Sequence, residues 1–153
     1  MKIIVLLMAS AAWMMAGDPE GFGLWTGAEL KEAAKKLAPK VNESKVATEV
    51  LASWGNHNLM LVHREASGQA EWHETQADVF IVQSGEGTLV VGGTVVDPKN
   101  VSPHEVRGAS IQGGETKRLS PGDIVHIPAK TAHQLMVPQG KHITYEVVKV
   151  DTP

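Results

Sequence analysis

Two hydrophobic periods divide the chain. Between residues 26 and 39 apolar positions recur at helical spacing, with Leu30, Ala33, Ala34 and Leu37 on one face and Lys31, Glu32, Lys35 and Lys36 on the other. Thr26 and Glu29 have the spacing of a capping box, and Pro39 ends the run. This predicts one amphipathic helix packed on the outside of a sheet, with a lid or a dimer arm as its functional alternative. From residue 45 onward the period is two. Segments 45–51, 59–64, 69–73, 78–84, 88–91, 95–96, 116–119, 124–127, 134–137 and 143–150 read as strands. Turn chemistry separates them at Ser67-Gly68, Gly92-Gly93, Pro121-Gly122-Asp123 and Pro138-Gln139-Gly140, and Gly85-Glu86-Gly87 reads as a tight hairpin. Residues 97–115 hold Pro98, Pro103, Gly108, Gly113 and Gly114 and read as a long loop with one weak strand near 109–112. Short strands at this spacing predict an all-β sandwich or barrel.

The N-terminus follows neither period. Lys2 precedes a stretch, 3–15, that is apolar but for Ser10 and too short to span a bilayer, and Ala16-Gly17 offers a small-residue cleavage point. The expected organisation is a signal peptide over 1–16, a linker and helix over 17–44, and a barrel domain over 45–153. The protein is then exported, periplasmic or secreted, with no stable membrane insertion after cleavage. There is no cysteine, which excludes a disulfide framework, a thiolate ligand and a lipoprotein anchor.

Composition narrows the partner. At 153 residues with 42% apolar content the chain builds one core. Its 14 basic and 17 acidic residues give a net charge of -3, which argues against a nucleic-acid surface and a polybasic membrane patch. A small-molecule substrate or ligand is the expected partner.

Candidate chemistry centres on residues 71–78. Glu71 and His73 are two apart and leave the same face of an extended strand, and Asp78 opens the following apolar run. An imidazole beside carboxylates is the start of a divalent-metal site. Hydrogen-bonded core histidines and a solvated strand-edge carboxylate are the plain alternatives. A second stretch, Pro121 to His133, launches a short strand from a turn, ends it at Pro128 and delivers His133 at the head of Gln134-Leu135-Met136-Val137.

Together the two stretches resemble the paired motifs of the cupin superfamily, G-x5-H-x-H-x3,4-E-x6-G and G-x5-P-x-G-x2-H-x3-N. Glu71 stands at the first His, His73 at the second, Asp78 at the Glu and Gly85 at the closing Gly, while Gly122, Pro128 and His133 keep the intervals of the second motif. The match runs from about Leu59 to Val148. The resemblance implies a small antiparallel jelly-roll barrel, usually homodimeric, with a metal ion inside it on the motif residues. It implies Glu71, His73, Asp78 and His133 as metal ligands.

The departures bear on chemistry. Glu71 and Asp78 would make a two-His, two-carboxylate set, which favours Mn or Fe and leaves Zn or Ni possible. Asp78, one methylene shorter than the usual Glu, could instead orient His73 or a water. Lys130 replaces a turn Gly, the leading Gly of the first motif is absent at Glu65, and Gly68 comes three residues late. An enzyme of dioxygenase, decarboxylase, isomerase or lyase type, with Glu71 or His63 as a cavity base, is one implied function; a non-catalytic binding module is the other. His126 is expected to be packed, Trp72 to lie under the helix or at a dimer interface, and Phe80, Val82, Leu135 and Val137 to line the cavity or the core.

Overall fold

The structure is a computed structural model that describes residues 17–153; the predicted signal peptide, 1–16, lies outside the described residues. Helix α1 (Gly27–Leu37) forms where the helical period predicts it. Thr26 Oγ1 accepts from the Glu29 amide at 3.2 Å and Glu29 Oε2 accepts from the Thr26 amide at 2.8 Å, which satisfies two otherwise free amides of the first turn. A single 3-10 turn over Ala38–Lys40 closes the helix at Pro39. Ala34 and Leu37 are buried against Ala47 and Leu61, so the helix packs on the outside of a sheet.

Thirteen strands follow: β1 (Val46–Ser53), β2 (His57–Arg64), β3 (Ala70–His73), β4 (Gln76–Gly85), β5 (Gly87–Val91), β6 (Thr94–Val96), β7 (Lys99–Ser102), β8 (Glu105–Gly108), β9 (Ser110–Gln112), β10 (Glu115–Leu119), β11 (Ile124–Ile127), β12 (His133–Met136) and β13 (Ile143–Asp151). They form a five-stranded sheet in the order β1-β2-β13-β4-β11 and a six-stranded sheet in the order β10-β5-β12-β3-β8-β7, with β6 and β9 as a separate pair. All pairings are antiparallel. The inner faces of the two large sheets meet in one core that includes Val62, Phe80, Val82, Leu89, Leu135, Val137 and Tyr145.

Strand parity decides what faces that core. On β2, Met60, Val62 and Arg64 point inward, whereas Leu61 and His63 point toward α1. On β13, Tyr145, Val147 and Lys149 share the inward face.

Two expectations are corrected. Gly85-Glu86-Gly87 is not a hairpin, because β4 and β5 lie in different sheets; the chain turns a corner there. Gly85 has φ +78, and a Cβ on it would meet the His142 carbonyl oxygen at 2.0 Å, so only glycine allows the crossing. Residues 97–115 are not a long loop: the weak strand expected near 109–112 forms as β9, but β7 and β8 form there as well. Strand β3 needs a partner on its open edge, and β8 supplies it through Glu71↔Arg107 and Trp72↔Val106.

Candidate metal centre

Three strands bring the motif residues together. Glu71 and His73 leave β3 two residues apart, Asp78 sits near the start of β4, and His133 opens β12 directly opposite Glu71. His73, Asp78 and His133 are buried and Glu71 is half-buried, and one potential ligand atom from each lies within 4.8 Å of the others. The His73 Nε2 atom is 3.4 Å from Glu71 Oε2 and 3.6 Å from Asp78 Oδ2. The His133 Nε2 atom is 3.8 Å from Glu71 Oε2 and 3.5 Å from Asp78 Oδ2. The shorter Asp78 side chain therefore reaches both imidazoles.

The cluster can hold a metal ion. Donors about 2.1 Å from a common ion are about 3.4 Å apart in a tetrahedral set and about 3.0 Å apart at the right angles of an octahedron. The four separations given above lie at or slightly beyond the tetrahedral spacing. His133 supplies the sharpest observation. Its Nδ1 donates to the Thr131 carbonyl at 3.1 Å, which aims Nε2 into the cluster, where that buried atom has no hydrogen-bond partner.

Two cations balance the carboxylates. Arg107 Nη1 contacts Glu71 Oε1 at 2.5 Å and the same guanidinium pairs with Glu105. Lys149, directly opposite Asp78 in the β13–β4 ladder, donates to both Asp78 oxygens at 2.8 and 2.9 Å and reaches His73 Nε2 at 3.2 Å. Burial alone would raise the Glu71 carboxyl, but His73, Arg107, His133 and Lys149 outweigh it and bring its pKa down to about 2. Burial also opposes ionisation of Asp78, and His133 and Lys149 overcome it, so its pKa is lowered. Both carboxylates are thus available as anions. Lys149 and a metal ion cannot share the single His73 lone pair, so an ion entering this site displaces the ammonium from it.

Other expectations fare differently. His63 faces α1, not the cluster: its Nδ1 is 2.8 Å from Thr144 Oγ1, and its position next to inward Val62 turns it to the opposite side of the sheet. It cannot serve as a base for this cavity. His126 is exposed on the edge strand β11 rather than packed. Trp72 lies against β6 and Val106, away from the helix. Phe80 and Tyr145 line the cavity, whereas Val82, Leu135 and Val137 belong to the core.

Arg64, Arg107 and Lys149 carry no motif signal. Strand parity was the available clue for Lys149 and Arg64, each of which shares a face with apolar inward residues. Arg107 lay in the stretch read as a loop.

Two packed antiparallel sheets with these side chains gathered between them make a jelly-roll fold similar to that of a solved cupin-2 domain. No protein-family model and no curated protein matches the chain. The likeness is to solved structures. TT1209 from Thermus thermophilus is 20% identical at a TM-score of 0.56, over 78% of this chain and 94% of that one. Rru_A2000 from Rhodospirillum rubrum, described as a cupin-2 domain, is 18% identical at 0.52, over 69% and 60% of the two chains. Streptomyces Pac13, described as a nucleoside dehydratase, is 11% identical at 0.52, over 73% and 74%.

Proposed function

We propose that the protein is an exported, homodimeric cupin that binds one divalent metal ion on Glu71, His73, Asp78 and His133 and acts as an enzyme on a small polar molecule, of dioxygenase, decarboxylase, isomerase or lyase type. The observation that carries this reading is the buried, unpartnered Nε2 of His133, aimed at two ionised carboxylates and a second imidazole. The presence of an enzyme, the dehydratase Pac13, among the structural neighbours supports a catalytic role. Export rests on Lys2 and the apolar stretch 3–15. Among the described residues no helix is long and apolar enough to cross a membrane.

When bound, the ion would polarise a carbonyl or carboxylate, or activate a water. The protein's own part is positional. Thr131 holds the His133 ring, Arg107 holds Glu71, and Lys149 keeps Asp78 anionic. Mn or Fe is the ion proposed, because half of the donor set is carboxylate oxygen; Zn or Ni is the alternative.

A second reading, a binding module that works without a metal, is favoured by one observation: the Lys149 ammonium already lies on Asp78 and His73. Metal analysis decides between them. Purified protein lacking residues 1–16 is expected to carry about one ion per chain, with most of it lost in His73→Ala and in His133→Ala. Equal metal in all three, or none in any after reconstitution with Mn²⁺, Fe²⁺ and Zn²⁺, overturns the metal reading.

A further inference from the structure

Beside the metal cluster lies a cavity of about 180 Å³ whose lining combines apolar Met60, Val62, Phe80 and Val147 with polar Arg64, Arg107, Lys149 and Tyr145, and also includes Glu71 and Asp78. That volume equals about six water molecules at their liquid packing. Three cations in so small a space would be unusual unless each had a counter-ion. Two have one. Arg107 is paired with Glu71 and Glu105, and Lys149 with Asp78. Arg64 has no acidic partner among the described residues, and its Nε is buried without a hydrogen-bond partner. Its guanidinium packs against Gly68, where an added Cβ would stand 3.0 Å from Nη1 and 3.2 Å from Cζ. The glycine that comes three residues late for the first motif thus makes room for this arginine.

We propose that the cavity binds a small organic carboxylate, with its carboxylate on Arg64 and its hydrocarbon part against Val62, Phe80 and Val147. The planar guanidinium fork matches a carboxylate through two parallel hydrogen bonds, and among the described residues Arg64 is the one of the three cations with no carboxylate of its own. The apolar wall selects an organic acid over an inorganic oxyanion, which would leave that wall uncovered. Tyr145, beside Arg64 and neutral at physiological pH, is placed to donate a further hydrogen bond. A molecule anchored in this way shares one cavity with Glu71 and Asp78, so the inference names the substrate class of the metal-dependent enzyme proposed above and rests on that reading for its catalytic meaning. Binding itself does not rest on it.

The test uses isothermal titration on the mature chain, both metal-loaded and chelator-treated, with pyruvate, butyrate and succinate as probes, their amides as neutral controls, and inorganic phosphate as a second anion. At least one carboxylate is expected to bind, at least tenfold more tightly than its amide and than phosphate, and Arg64→Gln is expected to weaken it at least tenfold. Gly68→Ala, which displaces the guanidinium, is expected to weaken it as well. The Arg64→Gln variant loses a half-buried cation that has no acidic partner and should melt no lower than the native chain without ligand, which separates lost binding from lost folding. The proposal is overturned if no carboxylate binds, if amides or phosphate bind equally well, or if Arg64→Gln retains the affinity. Arg64-dependent binding in chelator-treated protein, with no metal bound under any condition, would sink the enzyme reading and leave this one standing.

Discussion

The five-stranded sheet carries a polar group of residues on each face, and the two are built differently. On the outer face, under α1, the His63 ring meets Thr144 at 2.8 Å and Glu146 accepts from Gln83 at 3.0 Å. These buried polar groups have local partners, and burial raises the Glu146 carboxyl toward its neutral form. At the inner face, where Arg64 and Asp78 of this sheet meet Glu71 and His133 of the six-stranded one, charges exceed what local hydrogen bonds satisfy: the His133 Nε2 and the Arg64 Nε lack partners, and Glu71 and Asp78 are kept ionised. Leaving a buried polar atom unpaired costs about 1–3 kcal/mol. A satisfied cluster needs nothing more, whereas an unsatisfied one is complete only with something bound.

The largest expected effect comes from breaking the inner group at Asp78. Asp78→Asn strands the Lys149 ammonium and should destabilise the metal-free protein by about 3–5 kcal/mol, measured by urea unfolding. An unchanged midpoint would mean that Lys149 finds another partner.

Next is the alkaline limb at Tyr145, whose burial pushes the phenol up to about 12, against about 10 in an unfolded chain. The folded value is the higher one, so the associated stability is complete below about pH 10 and is lost as pH rises toward about 12, an effect of roughly 2–3 kcal/mol. Tyr145→Phe should show a flatter stability profile across that window, and parallel profiles would refute the assignment.

Lys149→Met tests the competition between ammonium and ion. Metal affinity is expected to rise about tenfold, or about 1.4 kcal/mol, in chelator-competition titrations. A weaker affinity would mean that Lys149 supports the bound ion instead.

The smallest effect is expected from the satisfied face: His63→Gln should cost about 1 kcal/mol of stability and leave metal content unchanged. A loss of metal would show that the two faces are coupled.

How much was legible in the sequence follows from the range of the interactions. Glu71 and His73 are set by one strand's alternation, and Asp78 and His133 by motif intervals, so all four could be named from spacing. The helix was equally local, with its cap written in Thr26 and Glu29. Arg107 and Lys149 reach the site as cross-strand partners of Glu71 and Asp78. Such pairing depends on register between segments distant in sequence, which local patterns do not encode. His63 failed for a local reason instead. A neighbouring strand was expected to aim it at the cavity, but the parity that places Val62 and Arg64 inward excludes it.

His133, Glu71 and Arg107 stand on one rung across β12, β3 and β8. A slip of β3 by a single residue would turn Glu71 and His73 to the far side and dismantle the donor set at once. The donors therefore assemble only when strands separated by tens of residues have found their alignment. If the chain is exported, as proposed, and folds afterwards, the ion captured would be drawn from the compartment where alignment is completed. Metal stoichiometry of a preparation would then report the fraction of chains whose sheets have locked correctly.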